Sequence, residues 1–333
     1  MPAHGDIQVD GLLTKLSIRL ADQTPNLIGR RVAPVVPMDV QSGPYPFFGR
    51  EEFKVTGADD DLVGMLGEPN VFEPSMTHDT YSCLGHAEMC MLAVEQQRRA
   101  QPQFEVAIEP ELAAIVRRQL MRHEIKVATL LQTPANFHAS NQIDIDNLAN
   151  RRWDEANQTA LVDIDTAIDR VELCIGMPPT DMIMPRAIWN VFKNLSAVSL
   201  AIKGYTGGAI TPAEVAAHFG LERLHIAGGV YDAALKGQAE SRTRIWSGKH
   251  TTLLYVTPNP APKTPNTAYT FVWNPPEGGE MGRVVTRWFI PELGTMGADA
   301  AKAAWWNDVK ATGVDSPSLG KIISGYLIKN LIA

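Results

Sequence analysis

The chain has 333 residues, of which 45% are hydrophobic and 20% charged, a balance that supports a sizeable core and excludes a disordered protein. Its net charge of −7 and the lack of a basic run argue against sequence-specific nucleic-acid binding, and no apolar run is long enough to span a membrane. Three cysteines, Cys83, Cys90 and Cys174, argue against a disulfide framework and are typical of a reducing compartment.

The N-terminal region predicts extended structure that cannot build its own core. Residues 7–20 are compatible with a short strand or a short amphipathic helix. Residues 30–53, RRVAPVVPMDVQSGPYPFFGREEF, contain four prolines and the closely spaced aromatic residues Tyr45, Phe47 and Phe48. Proline fixes φ and lacks an N–H donor, so we expect an extended arm without a helix. Such an arm must find its packing partner on a neighbouring chain.

A second excursion follows the arm. Gly57 and the run Asp59 to Asp61 form a turn cluster between extended segments, which predicts a long two-stranded hairpin with a polar tip.

The clearest helix is predicted over residues 109–132. Pro110 suits the first turn, acidic residues favour the positive end of the helix dipole, and Pro134 ends the helix. Apolar residues recur at helical spacing, at Leu112, Ile115, Val116, Leu120, Val127, Leu130 and Leu131. Arg117, Arg118 and Arg122 form a basic patch on this helix, which is either a solvated face or a site that pairs with an acidic neighbouring chain.

The second half of the chain mixes short helices and strands. A helix is predicted from about Asp163 or Asp165 to Gly176, followed by a buried strand, DMIMP, and a short helix, RAIWNVFKNL. Thr211, Pro212 and Glu214 form a capping box ahead of a helix that Gly220 stops.

Strands are predicted in RLHIA, RIWSGKHTTLLYVTP, NTAYTFVWN, RVVTRWFIPELG and GKIISGYLIKNLIA, whereas AAKAAWWNDVKATGV fits a helix or a strand. Since helices and strands do not alternate regularly, the pattern favours an α+β fold over a doubly wound parallel sheet.

Chemical motifs are scarce. The cysteines Cys83 and Cys90 lie near His78 and His86, but their spacing matches no common zinc pattern, and ordinary packing is the better explanation. A metal-dependent enzyme built on this cluster is therefore a minor alternative. The sequence also lacks a G-x-S-x-G nucleophile elbow and the glycine-rich phosphate-binding loop of nucleotide-binding proteins, so we expect no enzyme activity and no cofactor.

The order of these features resembles the tailed-phage major capsid proteins with the Hong Kong 97-type fold. The resemblance is carried by NLIGRRVAPVVPM and GPYPFFGREEF, then THDTYSCLGHAEMCMLAVEQQRRAQP before the long helix, then ITPAEVAAHFGLERLHIAGGVYD, and finally SGYLIKN. It implies an N-terminal arm at residues 1–40 and an extended β-hairpin loop at 41–76. It also implies a peripheral domain at 77–180 and 283–333, with the spine helix at 109–132, and an axial domain at 181–282.

The resemblance also implies a function. The chain would self-assemble through pentamers and hexamers into an icosahedral shell around a double-stranded DNA genome, as a component of the virion assembled in the host cytoplasm. A portal protein would occupy one vertex, while scaffolding and decoration proteins are left open. Met1 shortly before the arm favours scaffolding by a separate protein. An encapsulin-like cellular nanocompartment is the alternative.

Inter-subunit contacts are expected at Tyr45, Phe47, Phe48, Arg50, Lys54, Arg117, Arg118 and Arg122. Lys54 offers an amine, but the sequence shows no carboxylate aligned with it, so we predict no covalent cross-links. The charge of −7 is compatible with a shell that does not bind its DNA tightly.

Overall fold

The computed structural model describes residues 8–22, 26–46, 62–63, 65, 67–68, 78–99, 108–146, 148, 151–156, 158–204, 208–234, 237–246, 248–262, 264–276, 278–315 and 320–332. The helices are α1 (Gly11–Asp22), α2 (Gly29–Val32), α3 (Val94–Arg99), α4 (Ile108–Gln132), α5 (Ala160–Ile175), α6 (Arg186–Phe192), α7 (Ser196–Lys203) and α8 (Pro212–His218).

The strands are β1 (Gln8–Val9), β2 (Val35–Met38), β3 (Ser42–Pro46), β4 (His78–Ser82), β5 (Leu84–Ala93), β6 (Gln142–Asp144), β7 (Asp181–Pro185), β8 (Arg223–Ala227), β9 (Val230–Asp232), β10 (Arg242–Arg244), β11 (Thr251–Leu254), β12 (Ala268–Trp273), β13 (Arg283–Ile290), β14 (Ala298–Ala311) and β15 (Gly325–Lys329).

Two sheets organise the molecule. The first sheet has the order β1-β13-β14-β12-β2, and β5 also pairs with β14. Residues 298–305 of β14 pair with both β13 and β5, so these two strands lie on opposite sides of β14. The second sheet has the order β6-β15-β11-β7-β8, and two small hairpins pair β3 with β4 and β9 with β10.

The long helix α4 connects the two sheets. Its N-terminal half packs with α1 on one face of the first sheet, where Leu13, Leu112 and Ala301 share one core. Its C-terminal half packs into another core with α2 and the second sheet, through Val127 and Leu254. The largest core lies between the second sheet and helices α5 to α8. The mixed α+β class expected from the sequence is confirmed.

The long helix and several local signals are confirmed. The helix predicted at 109–132 spans Ile108–Gln132, and the capping box of Thr211 and Glu214 is present at the start of α8. The predicted start of α5 was wrong, because the helix begins at Ala160. Asp163 does not cap it: the carboxylate is buried and accepts hydrogen bonds from Arg151 and Trp153.

The ambiguous tail segment is a strand. Residues Trp305 and Trp306 belong to β14, which is hydrogen-bonded on both sides along residues 298–305. Ala300, Ala301 and Ala303 are almost fully buried there, so small side chains suit a strand enclosed by neighbours. Pairing with distant strands, rather than local propensity, decides the conformation.

The prediction that the proline-rich arm cannot pack on its own chain was wrong for residues 30–46. Residues 30–32 end the short helix α2, because the first proline of the stretch, Pro34, comes only afterwards. The strand β2 then pairs in parallel with β12, and Val32 and Val36 are fully buried. This part of the arm therefore contributes to the core of its own subunit.

Sheet membership crosses the predicted domain boundaries. Strand β12, inside the predicted axial range of 181–282, pairs with β14 of the predicted peripheral range. Strand β15, from the predicted peripheral range, pairs with β11 of the axial range. The division into peripheral and axial domains stays a prediction. A division that keeps both sheets whole would assign β12 to the peripheral part and β15 to the axial part.

Within the described ranges, no helix combines the length and the apolar character needed to cross a membrane.

Candidate functional site

The base of the predicted extended loop is a short hairpin fixed to the first sheet. Strands β3 and β4 pair from Ser42 opposite Ser82 to Pro46 opposite His78. Tyr45 and Tyr81, each 1% exposed, lie with their ring centroids 5.1 Å from that of Phe271. Such aromatic contacts add to the stabilisation from burial alone. The hairpin base is therefore anchored to the first sheet.

Both tyrosine hydroxyls are hydrogen-bonded. Tyr45 donates to Asp79 at 3.1 Å, and Tyr81 donates to the carbonyl of Val40 at 2.9 Å. Burial, followed by the charge of Asp79, raises the pKa of Tyr45 well above its ordinary value, so the hydroxyl keeps its proton and remains a donor.

Of the contact residues predicted in the loop, only Tyr45 lies among the described residues. Tyr45 is buried in its own chain, where it anchors the hairpin, and its contact with a neighbour stays a prediction. Phe47, Phe48, Arg50 and Lys54 lie outside the described residues, and their roles also stay predictions.

The basic patch on α4 pairs with a strand of the same chain. The guanidinium groups of Arg118 and Arg122 lie 3.3 Å and 2.5 Å from the same oxygen of Glu88, on β5. Arg117 is exposed and has no ion pair with any described residue. Two of the three arginines are thus engaged within the subunit, an arrangement that was not expected from the sequence. Whether the patch also contacts another subunit stays a prediction.

Lys126 extends this contact by one further helical turn. Its Nζ donates to Nε2 of His86 at 2.9 Å and to the amide oxygen of Asn307 at 3.4 Å. Burial, Lys126 and Arg122 lower the pKa of His86, so the imidazole is neutral at pH 7 and can accept this bond. Arg118, Arg122 and Lys126 recur every four residues, a spacing that places them on one side of α4 and could have been recognised in the sequence.

A buried carboxylate ties the arm, α4 and the second half of the chain together. Glu124, 1% exposed, accepts hydrogen bonds from the backbone N–H of Ile28 at 3.1 Å and of Gly29 at 2.5 Å, and from the indole of Trp246 at 2.5 Å. A Cβ at Gly29 would lie 2.6 Å from this carboxylate. Burial raises the pKa of Glu124, and the three N–H donors partly oppose that effect.

The suspected metal cluster is not assembled. Cys83 packs in the core of Tyr45 and Tyr81, whereas Cys90 lies against the core of α4 and donates to the carbonyl of Ala301 at 3.5 Å. Across the described ranges, no three histidine, cysteine or acidic side chains come together as metal ligands. Burial raises the pKa of Cys83 to about 12, which is unfavourable for a thiolate ligand.

Comparison with known proteins addresses the fold. No protein-family model matches the chain. The major capsid protein of Burkholderia phage BcepMu is 24% identical over 248 residues, which cover 74% of this chain and 76% of that protein. A crystal structure of a phage-related protein from Bordetella bronchiseptica has a TM-score of 0.73 at 18% identity, covering 98% of this chain and 99% of the other.

A second solved structure with the same fold comes from a prophage. A protein assigned to the capsid of a prophage of Escherichia coli CFT073 has a TM-score of 0.55 at 12% identity, covering 98% of this chain and 99% of the other. This chain has the Hong Kong 97-type capsid fold. In this capsid fold, α4 is the long helix predicted as the spine, and β3 with β4 forms the base of the hairpin predicted as the extended loop.

Proposed function

We propose that this chain is the major capsid protein of a tailed phage and forms an icosahedral shell. The observation that carries the proposal is sequence similarity to a phage major capsid protein over 74% of the chain, on a capsid fold that extends over 98% of it. The role is structural rather than enzymatic, and the chain is a component of the virion.

Exposed apolar side chains on the first sheet support self-association. Met89 and Met91 on β5 are 47% and 48% exposed, and they lie opposite Lys302 and Ala300 on the face of the sheet that points away from α4. Large apolar side chains grouped on one surface are typical of a protein interface. A contact with a second copy would remove them from water.

The connection between β3 and β4 supplies further contact residues. Residues 47–77 join the two strands of the anchored hairpin, and this segment contains Phe47, Phe48, Arg50 and Lys54. A contact between this segment of one copy and a different surface of the next is heterologous, and heterologous contacts close into rings when the rotation between subunits permits it. We infer pentameric and hexameric rings on this basis.

The remaining partners follow from the same proposal. The shell encloses double-stranded DNA without sequence preference, and a portal protein occupies one vertex. Scaffolding and decoration proteins are further candidates for binding to the shell.

The test is direct imaging of the purified chain. Cryo-electron microscopy is expected to show closed icosahedral particles or capsomer rings, and sedimentation is expected to show assemblies far larger than the 36.5 kDa subunit. A compact monomer at every salt and protein concentration would overturn the proposal. Particles from infected or induced cells should contain DNA; closed particles filled with a protein cargo would instead support the nanocompartment alternative.

A further inference from the structure

The helix layer of the first sheet presents a basic outer surface. Helices α1 and α4 lie side by side on one face of the sheet, in a core that includes Leu13, Leu112 and Ala301. These two helices, together with α2, carry exposed cationic side chains at Lys15, Arg19, Arg31, Arg117, Arg118, Arg122 and Lys126. Three of them, Arg118, Arg122 and Lys126, lie along the edge of α4 that reaches β5. We name these seven residues the basic helix face.

Few carboxylates oppose this charge. In the described side chains of α1, α2 and α4, exposed carboxylates are confined to Glu109 and Glu111, in the first turn of α4. Glu124 is buried and is held by three N–H donors. Over the remaining length of α4, the exposed charges are therefore all positive.

Contacts within the subunit do not neutralise the basic helix face. Arg118 and Arg122 share the single carboxylate of Glu88, while Lys126 donates to a neutral imidazole and to an amide. The other four members, Lys15, Arg19, Arg31 and Arg117, form no ion pair with any described residue. The face thus keeps a positive excess in a chain whose net charge is −7.

The arrangement suits a polyanion with regularly spaced charges. Arg118, Arg122 and Lys126 lie four residues apart on one helix, so their Cα atoms form a line with about 6 Å between neighbours. Double-stranded DNA carries one phosphate per strand for about every 3.4 Å of helix axis. Long exposed side chains on a helix surface can reach phosphates without entering a groove, so the contact would be independent of base sequence.

We propose that the basic helix face lines the inside of the shell and contacts the phosphate backbone of the enclosed double-stranded DNA. This inference rests on the proposed capsid function and adds the orientation of the subunit and the surface that meets the genome. Each subunit contributes a weak contact that salt screens, and many copies act together. The negative charge of the rest of the chain limits the attraction to this one face.

The test measures binding of a short, labelled DNA duplex of mixed sequence to the purified full chain by fluorescence anisotropy, over a series of NaCl concentrations. The shells are first dissociated into subunits or capsomers, so that the inner surface is accessible to the duplex. The test variant is Lys15→Gln/Arg19→Gln/Arg117→Gln, which leaves the ion pairs of Glu88 intact. The matched control is Arg186→Gln/Lys193→Gln/Arg244→Gln, which removes the same charge from exposed positions elsewhere in the chain. Circular dichroism confirms that both variants remain folded.

The test variant is expected to bind about tenfold or more weakly at low salt, and the slope of log K against log [NaCl] is expected to fall by about one for each phosphate that is no longer neutralised. The control should bind nearly as the parent does. Equal weakening in both variants, or none in either, would overturn the inference. Polyglutamate that displaced the labelled duplex as well as unlabelled DNA of equal charge would overturn the assignment to DNA and indicate a general acidic partner.

A density map of the assembled shell provides an independent readout. The layer formed by α1 and α4 should lie on the inner surface, and its presence on the outer surface would overturn the inference. The two proposals fail separately: absence of any shell contradicts the capsid function, whereas normal shells with an outward-facing helix layer contradict only the DNA contact.

Discussion

Glu124 and Trp246 are joined by a hydrogen bond of 2.5 Å between the carboxylate and the indole N–H, although 122 residues separate them in sequence. The same carboxylate binds two backbone N–H groups of the arm, at Ile28 and Gly29. One side chain in the middle of α4 thus fixes the arm and the segment after β10 to the same helix.

Replacing Glu124 with glutamine should destabilise the subunit. The side-chain NH2 group of glutamine would face an N–H donor that now bonds to a carboxylate oxygen, and that donor would lose its acceptor. A buried donor without an acceptor costs about 1–3 kcal/mol. We expect the free energy of unfolding in urea to fall by about that amount for Glu124→Gln. Glu111→Gln, at an exposed position on the same helix, is the control and should change little. Equal stability of the two variants would contradict the role of Glu124.

His123 should make the stability of the subunit depend on pH. It is 2% exposed and its Nε2 lies 2.8 Å from the hydroxyl of Thr270; burial, and then Arg30, Arg283 and Lys126, lower its pKa from 6.5 to about 3.

Because the pKa is lower in the folded state, the unfolded chain takes up the proton first as the pH falls. The stabilisation is fully present above pH 6.5 and is lost progressively between pH 6.5 and about 3, at up to about 1.4 kcal/mol per pH unit. Urea unfolding at several pH values measures this slope. His123→Gln should flatten it relative to the parent, and His218→Gln, at an exposed position, is the control variant.

Asp163 should be more important for folding than its position in an acidic stretch suggests. Its carboxylate, 3% exposed, accepts hydrogen bonds from Arg151 at 2.7 Å and from the indole of Trp153 at 3.2 Å. Asp163→Asn removes the charge that pairs with Arg151 and should cost about 2–4 kcal/mol of unfolding free energy. Asp165→Asn, on the exposed side of the same helix, should cost less than about 0.5 kcal/mol. Similar costs at both positions would show that the buried network contributes little.

Alanine substitutions at the aromatic residues of the arm should affect subunit stability and shell stability to different extents. Tyr45 is buried within its own chain, so Tyr45→Ala should destabilise the isolated subunit by about 3–5 kcal/mol, as large core truncations do. Phe47→Ala and Phe48→Ala should instead lower shell stability more than subunit stability, since burying a phenylalanine at an interface is worth about 1.5–3 kcal/mol.

Shell disassembly in denaturant, compared with unfolding of the released subunit, distinguishes these effects. If Phe47→Ala and Phe48→Ala weaken the isolated subunit as much as the shell, both residues belong to its core and the predicted contact is wrong.

Deleting residues 55–66 should leave the subunit folded but prevent closed shells. The deleted segment includes the polar run Asp59 to Asp61, which a single subunit has little reason to bury. Circular dichroism and urea unfolding should match the parent chain, while electron microscopy should show rings or open fragments. Shells of normal size would exclude an assembly role for this segment.

The sequence by itself determined the elements whose signals are local. The apolar spacing of α4, the capping box at Thr211, the buried strand DMIMP and the end of α5 at Gly176, which has φ of 68°, depend on residues within a few turns of one another. The order of these elements was also sufficient to indicate the Hong Kong 97-type fold.

Tertiary structure decided the features that join distant parts of the chain. The arm packs on its own subunit because β12 offers β2 a parallel partner, and residues 298–311 form a strand because β5 and β13 flank it. Glu88 and Glu124 look like ordinary acidic positions until the fold brings Arg118, Arg122 and Trp246 to them. Hydrogen bonds and ion pairs of this kind depend on spatial proximity between residues far apart in the chain, and no local pattern encodes that proximity.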